Sequence, residues 1–560
     1  MSRTSDRVVD TLIEAGVGTA FTLPGLGITW CLDAFYERRD QLRLILTRSE
    51  QVASIMAQVV GRLTGRPGLF MGQGPFAATT GGFGILEAHF SGAPMVVLTE
   101  TSDYDGFGQY GVYQTMTGDY GGADIQAMLR GMTKFCTYAT EPQDAVYGLQ
   151  MAFKHAATPR QGPAAVIMKS GIVRREMPEA PRQALYPTRG YLAYTPARPD
   201  SDAVMKLVRL LDAAERPIII AGNGVTMAGG AERLARLAAR TGAAVATSYN
   251  GKGVVDETAP FAVGMLGTWG CATANRAVAA ADLVIMLGAS MAPDYTRFRD
   301  AKMIRPGDQK LVQVDIDPRN AGWVYPVDLA ITGDCADVLD MVLSAAPSDK
   351  RSTARRAWVA KIRQETGYDR APDLPAVPGS IHYTDIVAVL QDFLTPQDLL
   401  TLDAGSNRIW VTNALRVRTP GQLIVPGGIG GMGWGAPAAA AAKLVHPDKR
   451  VTCLAGDGGF AMTVPVLATC VQENLPITVI VANNRGLGMV RDNLGNKRIA
   501  VEFGDLDFAR IAEGFGCKGM RVDSRSGLAD ALHAAHRHGG PVVIDTKVDP
   551  AASHRPASDP

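Results

Sequence analysis

The chain has 560 residues, of which 46% are hydrophobic and 20% charged, and its formal net charge is +1. This length and composition predict a globular protein of two to four domains. The charges are interspersed, so the sequence lacks the clustered basic field that nucleic acid or an anionic membrane requires of its partner. No apolar run is long enough for a bilayer span and no signal-peptide pattern opens the sequence, so we expect a cytoplasmic protein.

Two proline-rich stretches, 177–200 and 371–380, divide the sequence into three blocks. In each block short β-branched runs, such as 217–221 and 477–481, alternate with Ala-rich helical stretches. This alternation predicts an α/β protein with three doubly wound parallel-sheet domains. We assign an N-terminal domain to 1–178, a linker to 179–199, a central domain to 200–348, a linker to 349–381, a C-terminal domain to 382–550 and a tail to 551–560.

The first two blocks contain one candidate feature each. Glu50 stands at the start of a predicted helix, and taken alone it is a carboxylate of the kind that usually lies on the surface. In the central block the run 217–221 leads into Gly222-Asn223-Gly224, which lacks a complete G-x-G-x-x-G dinucleotide motif. Neither feature identifies a function by itself.

Polar residues follow two apolar runs of the third block, where predicted strands end. Asp457 follows the first run among glycines, Asn484 follows the second, and a helix is expected between them at about 463–473. Because a βαβ unit brings successive strand ends close together, Asp457, Asn484 and the carbonyl of Gly486 form an oxygen set suited to Mg²⁺. We therefore expect a magnesium diphosphate as ligand. The alternative is that Asp457 only caps the following helix.

The run 456–488, GDGGFAMTVPVLATCVQENLPITVIVANNRGLG, resembles the thiamine-diphosphate signature of the acetohydroxyacid synthase and pyruvate decarboxylase superfamily. Segments 401–410 and 427–437 resemble the two segments that complete its cofactor domain, and the resemblance spans residues 5 to 550. It implies thiamine diphosphate and Mg²⁺, with Asp457, Asn484 and Gly486 as metal ligands. The cofactor-binding residues that it implies are Ser406, Asn407, Gly430, Met432, Gly456, Asp457, Gly458, Gly459, Asn484 and Gly486.

Segment 46–68 resembles the family's strand and helix that carry the catalytic glutamate, which corresponds to Glu50. The resemblance implies that Glu50 is a buried, protonated carboxyl at N1′ of the aminopyrimidine, where it favours the imino form that deprotonates the thiazolium. By the same resemblance Met432 props the cofactor into its bent shape and the carbonyl of Gly430 accepts a hydrogen bond from the 4′-amino group. In the family, glutamate and cofactor come from different subunits, so a homodimer or homotetramer with shared active sites is implied.

The resemblance leaves the central domain and the substrate open. Segments 263–270 and 312–318 resemble a non-redox FAD site in the synthases, while other relatives bind ADP or nothing there. The synthases' acceptor-selecting tryptophan is Asn493 here, and their active-site glutamine is absent, although an aromatic insertion at 104–114 offers Gln109 or Gln114 instead. The substrate-pocket candidates are Phe76, Gln114, Met489 and Asn493.

We therefore expect an acetolactate-synthase-like decarboxylating carboligase that acts on 2-oxo acids. A lyase or hydrolase of 1,2-diketones or 2-hydroxyketones is the alternative, because it would share every cofactor residue. A non-catalytic thiamine-diphosphate-binding protein is a third reading, and the presence of Glu50 argues against it, since a binder does not need that carboxyl. Small carbonyl compounds, and neither nucleic acid nor a membrane, are the expected partners.

Overall fold

Three six-stranded sheets, each wholly parallel and covered by helices, form the protein and confirm the predicted fold class. A computed structural model describes residues 2–101, 116–118, 122–177, 189–345, 347–371, 374 and 377–557. Within these residues, no helix combines the length and apolarity needed to cross a membrane.

The N-terminal sheet has the strand order β3-β2-β4-β5-β7-β6, and a short antiparallel pair, β1 and β8, lies beside it. The strands are β1 Ser2–Arg3, β2 Thr19–Leu23, β3 Arg43–Leu46, β4 Gly68–Gly72, β5 Met95–Glu100, β6 Phe135–Ala139, β7 Pro163–Met168 and β8 Glu176–Met177. The helices are α1 Thr4–Glu14, α2 Leu32–Glu37, α3 Glu50–Thr64, α4 Gly74–Ala78, α5 Gly82–Ser91, α6 Ile125–Arg130 and α7 Pro142–Ala157.

The central sheet has the order β11-β10-β9-β12-β13-β14. Its strands are β9 Pro217–Ala221, β10 Ala244–Thr247, β11 Ala262–Met265, β12 Leu283–Leu287, β13 Lys310–Asp315 and β14 Leu329–Thr332. Its helices are α8 Ser201–Ala213, α9 Asn223–Met227, α10 Ala231–Thr241, α11 Ala272–Ala280, α12 Cys335–Ser344 and α13 Ser352–Thr366. Because the strand order reverses between β9 and β12, a crevice opens at their carboxyl ends.

The C-terminal sheet has the order β16-β15-β17-β18-β20-β19. Its strands are β15 Asp398–Leu402, β16 Leu423–Ile424, β17 Arg450–Gly456, β18 Ile477–Asn483, β19 Lys518–Val522 and β20 Val542–Lys547. Its helices are α14 Tyr383–Phe393, α15 Ser406–Ala414, α16 Gly435–Val445, α17 Asp457–Thr463, α18 Val466–Gln472, α19 Gly488–Leu494, α20 Phe508–Gly514 and α21 Arg525–His538. Single 3₁₀ turns occupy Ile28–Cys31, Ser170–Ile172, Arg189–Leu192, Tyr249–Gly251, Pro293–Thr296 and Arg555–Ala557.

Local structure differs from the expectations at two places. The segment 349–381 is not only a linker, because it contains α13, whose Arg355 is 1% exposed and donates hydrogen bonds to carbonyls of the central domain. The helix expected at about 463–473 is present as α18, but another helix, α17, precedes it and begins already at Asp457. The prolines on which the second linker was based lie after α13, and Pro465 separates α17 from α18.

The N-terminal and C-terminal domains of one chain share a hydrophobic core. Helices α3 and α5 pack with α16, and residues from all three helices belong to one buried cluster. Inside it the indole N–H of Trp434 donates to Oε1 of Gln58 at 3.1 Å, and both side chains are fully buried. The carboxyl edges of the two sheets are therefore held in a fixed relation through their helices.

A buried ion pair links the central and C-terminal domains. Nζ of Lys252 lies 2.7 and 2.5 Å from the carboxylate oxygens of Glu257, and both side chains are 1% exposed. The lysine also donates to the carbonyl of Leu415, and the glutamate accepts from the backbone N–H of Val417. Burial lowers the pKa of Lys252, so the pair depends on keeping both partners.

We predict that Glu257→Gln destabilises the protein by about 3–5 kcal/mol, because Lys252 is left buried without a counter-ion. The double variant Lys252→Met/Glu257→Gln should recover most of this loss, since the glutamine oxygen still accepts from Val417 and no charge remains. The midpoint of thermal unfolding measured by calorimetry checks both variants. A double variant less stable than Glu257→Gln would contradict the prediction.

Candidate functional site

Two strand ends of the C-terminal sheet meet at the predicted metal site. Gly456 pairs with Ala482 across β17 and β18, so Asp457 and Asn484 follow neighbouring strands. The carboxylate of Asp457 accepts the backbone N–H of Gly458 at 2.8 Å and that of Gly486 at 3.0 Å. The second bond ties the two loops together, as a βαβ unit at one sheet edge allows. The structure thus brings Asp457, Asn484 and Gly486 together.

Asn484 has an oxygen without a partner. The side chain is 3% exposed, and its Nδ2 donates to the hydroxyl of Tyr383 at 3.1 Å. Its Oδ1 is buried and accepts no hydrogen bond from the described residues, and the same holds for Oγ of Ser406. An unpaired buried polar atom costs about 1–3 kcal/mol. These atoms therefore fit a ligand that supplies a cation to Asn484 and an acceptor or donor to Ser406.

Burial raises the pKa of Asp457 to about 6, against the opposing effect of the N–H groups of Gly458 and Gly486 and of the nearby charge of Arg491. The carboxylate is thus charged near neutral pH in surroundings that solvate it poorly, which favours binding of a cation. Among the residues that the structure describes, no group of three or more His, Cys, Asp or Glu side chains is arranged to hold a metal. The predicted ligands Asp457, Asn484 and Gly486 are a different kind of set, because only one of them is a carboxylate.

A glycine-rich segment, 427–433, runs along the same edge and is held by two buried carboxylates. Glu87 of α5 accepts the N–H groups of Gly428 at 2.5 Å, Ile429 at 2.8 Å and Gly430 at 3.3 Å. Asp403, which follows β15, accepts the N–H of Gly433 at 2.9 and 3.0 Å through its two oxygens. Gly433 has a φ of +89°, which favours glycine. The segment is fixed from both of the domains that pack at this edge.

Sequence reasoning missed Glu87 and Asp403. Burial raises the pKa of Asp403 to about 6, and both side chains are fully buried. Asp403 follows a buried strand just as Asp457 does, so the same signal at β15 could have identified it. Glu87 is the single charged residue among the apolar and small residues of 82–88, and such a position is a candidate for a buried carboxylate with a specific partner.

The remaining cofactor candidates of the C-terminal domain lie at the same edge. Ser406 and Asn407 open α15 and are buried, and Nδ2 of Asn407 donates to the carbonyls of Asp403 and Leu454, both at 3.3 Å. Gly456, Gly458 and Gly459 form the turn into α17, and a Cβ on Gly459 would come within 2.8 Å of Asp403. Met432 is partly buried beside Gly433.

Glu50 belongs to the N-terminal domain, unlike the residues of this group. It is the first residue of α3, after an N-cap at Ser49, and it is partly exposed. Its carboxylate makes no hydrogen bond or ion pair within the described part of the chain. Phe76, on α4, follows a strand of the same N-terminal sheet.

The other substrate-pocket candidates belong to the C-terminal domain or are not described. Met489 is partly buried and Asn493 is exposed, both on α19. Gln114 and Gln109 lie outside the described residues.

Cavities open between the domains in the described part of the chain. The central cavity, of about 250 Å³, lies at the carboxyl ends of β9, β12 and β13 and is lined by Asn223, Ser290, Asp315 and Tyr295 among others. The inner cavity, of about 140 Å³, is lined by Tyr295, Trp269, Arg408 and Gly430 among others. Tyr295 borders both, and its ring stacks on that of Tyr249 with centroids 6.1 Å apart. The inner cavity thus reaches the glycine-rich segment.

Three protein-family models match the chain, one in each domain. They describe the N-terminal TPP binding domain of thiamine pyrophosphate enzymes at residues 2–123, the central domain at 204–342 and the C-terminal TPP binding domain at 403–546. The third match begins at Asp403 and includes both Asp457 and Asn484. The matches follow the three sheets in order.

Several curated proteins are similar over nearly the whole chain. The probable acetolactate synthase large subunit of Methanocaldococcus jannaschii is 30% identical, over 98% of this chain and 92% of the relative. The acetolactate synthase large subunit of Parasynechococcus marenigrum is 30% identical, over 97% of this chain and 86% of the relative. The putative thiamine pyrophosphate-containing protein YdaP of Bacillus subtilis is 27% identical, over 98% and 92%.

We predict that Asp403→Asn lowers stability by about 1–3 kcal/mol, because one carboxylate oxygen becomes an amide that cannot accept from the N–H groups of Gly433 or Ala404. Asp392→Asn is the matched control, since the side chain of Asp392 is 80% exposed. The midpoint of thermal unfolding should fall for the first variant and stay for the second. Equal midpoints for the two variants would show that Asp403 does not anchor the segment.

Proposed function

The chain belongs to the thiamine pyrophosphate enzymes as an acetolactate-synthase-like member, and on this basis we propose that it decarboxylates a 2-oxo acid and joins the remaining acyl group to a second carbonyl compound. The family expected from the sequence motifs is thereby confirmed. The observation that supports the reaction most is the buried, unpartnered Oδ1 of Asn484 beside the carboxylate of Asp457. A protein that had lost the cofactor would have no use for this arrangement.

We propose Mg²⁺ as the metal, bound by the carboxylate of Asp457, Oδ1 of Asn484 and the carbonyl of Gly486. All three ligands are oxygens, and Mg²⁺ commonly keeps its other positions for phosphate oxygens and water. The hydroxyl of Ser406 and the side chain of Asn407 are assigned to the diphosphate. Gly456, Gly458 and Gly459 allow the backbone to approach it closely.

The aminopyrimidine end is assigned to the glycine-rich segment and Glu50. The carbonyl of Gly430 accepts from the 4′-amino group, and the side chain of Met432 packs against the cofactor. When bound, thiamine diphosphate supplies a thiazolium ring that adds to a carbonyl carbon and accepts the electrons released on loss of CO₂. Glu50 holds a carboxyl proton for the ring nitrogen N1′. Glu87 keeps Gly430 in place through the N–H groups of the segment.

We propose that a second copy of the chain completes the site, in a homodimer or a homotetramer. Within the part of the chain that the structure describes, Glu50 makes no hydrogen bond or ion pair with the metal-site residues. Large apolar side chains are exposed beside the site loops, with 40% exposure for Ile429, 52% for Met462 and 45% for Val490. Leu26, which follows β2 of the N-terminal sheet, is 62% exposed. Such apolar surface is typical of a face that another subunit covers.

A lyase or hydrolase acting on 1,2-diketones or 2-hydroxyketones is the second candidate function. The observation that favours it is Asn493, which is exposed on α19 where the resemblance to synthases expects an acceptor-selecting tryptophan. A polar side chain there offers hydrogen bonds to a larger or more polar substrate in place of an apolar wall. Such a reaction would use the same cofactor residues.

We propose that the central cavity binds the nucleotide half of FAD or ADP itself. It lies at the strand-order reversal of the sheet, the usual position for a nucleotide. Oδ1 of Asn223 is buried there without a partner. Burial raises the pKa of Asp315, whose carboxylate accepts from Asn320 at 2.5 Å. These groups fit ribose hydroxyls. A flavin ring would have to lie beside Tyr295, whose ring is stacked on that of Tyr249.

The function is tested by incubating the protein with thiamine diphosphate, Mg²⁺ and pyruvate, then measuring CO₂ and identifying the carbon product by mass spectrometry. We expect CO₂ and acetolactate. Glu50→Gln should still bind the cofactor in calorimetry while CO₂ release falls on the order of 100- to 10,000-fold, because its amide cannot replace the carboxyl proton.

Glu37→Gln is the control, since the side chain of Glu37 is 57% exposed and Glu37 is none of the candidate site residues. Unchanged turnover in Glu50→Gln would contradict the role of Glu50. Cofactor binding without pyruvate consumption by the unmodified protein would favour the diketone lyase.

The nucleotide assignment predicts that the purified protein releases an adenine nucleotide on denaturation, and a yellow chromophore as well if it is FAD. Asp315→Ala should bind this nucleotide at least about tenfold more weakly, because a buried acceptor for ribose hydroxyls is lost. Asp308→Ala is the control, with a side chain that is 75% exposed. Chromatography of the released material identifies the nucleotide and measures its amount. Equal nucleotide content in both variants would refute the assignment.

A further inference from the structure

The inner cavity contains a cation that forms no ion pair with a described residue. Arg408 is partly buried on α15, and among the residues that line the cavity within the described chain it is the only lysine or arginine. Its guanidinium makes no ion pair with described residues, and its Nε is buried without a partner. It lies over the ring of Tyr249, 4.8 Å from the centroid. The contact with this tyrosine orients the guanidinium and leaves N–H donors for another group.

Other arginines near the site have hydrogen-bond acceptors. Arg416 donates to the carbonyls of Asn413 at 2.6 Å and Tyr368 at 2.7 Å, and Arg62 donates to the carbonyl of Val425 at 2.5 Å. A guanidinium has five N–H donors in a fixed fork that matches a carboxylate. Arg416 and Arg491 each also keep one buried N–H donor without a partner, but neither lines the inner cavity, so Arg408 is the guanidinium that an anion in this cavity would meet.

The position of Arg408 connects the cavity to the cofactor site. Its Nη1 is 3.3 Å from the place that a Cβ on Gly430 would occupy. Arg408 is also two residues beyond Ser406, and consecutive helical residues are about 100° apart, so its side chain leaves α15 on the side opposite to Ser406. The anion that Arg408 faces is thus a different group from the diphosphate assigned to Ser406.

The remaining lining of the inner cavity limits the size and polarity of that anion. The volume of about 140 Å³ is that of a small molecule. Asp294 also lines the cavity and forms no ion pair with Arg408. Its carboxylate repels an anion from that part of the cavity, so a bound anion is expected beside Arg408. The hydroxyl of Thr268 donates to the backbone carbonyl of Asp294 at 2.7 Å and can still accept. One small carboxylate fits this arrangement best.

We propose that the inner cavity binds the carboxylate of the acceptor substrate, a 2-oxo acid, through Arg408. This inference rests on the proposed carboligation. A fixed cation that binds the donor's carboxylate would stabilise the ground state against loss of CO₂ and oppose catalysis. The acceptor keeps its carboxylate in the product, so the same cation holds it throughout the reaction and selects acids over neutral carbonyl compounds.

Direct binding tests the subsite without turnover. Pyruvate and the neutral butane-2,3-dione are titrated into the full chain by calorimetry without thiamine diphosphate. We expect pyruvate to bind the unmodified protein, butane-2,3-dione to bind much more weakly, and Arg408→Gln to lose on the order of 10- to 100-fold in pyruvate affinity. Arg408→Lys should lie between, because it keeps the charge without the fork. Arg418→Gln, which removes an exposed arginine of the same domain, should bind pyruvate normally.

Equal pyruvate affinity in Arg408→Gln and the unmodified protein overturns the proposal, as do absence of pyruvate binding and equal binding of the neutral dione. Competition by ADP would assign the cation to the nucleotide and overturn it too.

A second measurement separates this inference from the proposed function. With thiamine diphosphate and Mg²⁺, pyruvate and acetaldehyde compete as acceptors, and Arg408→Gln should shift the product ratio from acetolactate to acetoin on the order of tenfold or more. An unchanged ratio overturns the role of Arg408. Failure of the unmodified protein to release CO₂ would refute the proposed carboligation. In that case, pyruvate binding that is selective over the neutral dione and is lost in Arg408→Gln would still support a carboxylate site.

Discussion

Hydrogen bonds from backbone N–H groups to buried carboxylates hold this site together. Glycine-rich loops lose much conformational entropy when ordered, and their N–H groups need acceptors once water is excluded. Glu87 supplies such an acceptor to 428–430, Asp403 to Gly433 and Asp457 to Gly486. Since Glu87 comes from the N-terminal domain, the shape of the segment depends on how that domain packs on the C-terminal one. The position of the glycine-rich segment therefore depends on the packing of these two domains within each chain.

Asp403 and Asp457, which follow neighbouring strands, have similarly raised pKa values but different surroundings. Burial raises the pKa of both Asp403 and Asp457 to about 6. Both oxygens of Asp403 accept from the loop that it holds, so its charge is used inside the protein. Asp457 instead lies beside Asn484, whose Oδ1 is unpartnered. The neighbouring oxygen, and not the carboxylate itself, is the reason for proposing Asp457 as a metal ligand and Asp403 as an anchor.

Much of the fold, and the meeting of Asp457 and Asn484 at one sheet edge, could be predicted because both depend on local sequence. Buried parallel strands appear as continuous apolar runs, and the polar residues that end them, such as Asp457 and Asn484, must meet at one edge. The role of Glu87 could not be predicted this way, because its partners are more than 340 residues away. Helix α13 was missed because the prolines after it were given more weight than its own pattern. The residues that choose a substrate remain predictions, since they come from several loops at once.

The proposed role of Arg408 separates the choice of substrate from the binding of the cofactor. Helix α15 presents Ser406 to one side and Arg408 to the other, so one rigid element serves the cofactor and the inner cavity. The backbone of α15 is fixed by Asn407, whose amide bonds two carbonyls. A substitution at 408 therefore alters the charge of the cavity without moving Ser406. In the proposed assignment, specificity follows from which cations face the cavity, whereas the chemistry follows from the strand ends, and the two can vary separately.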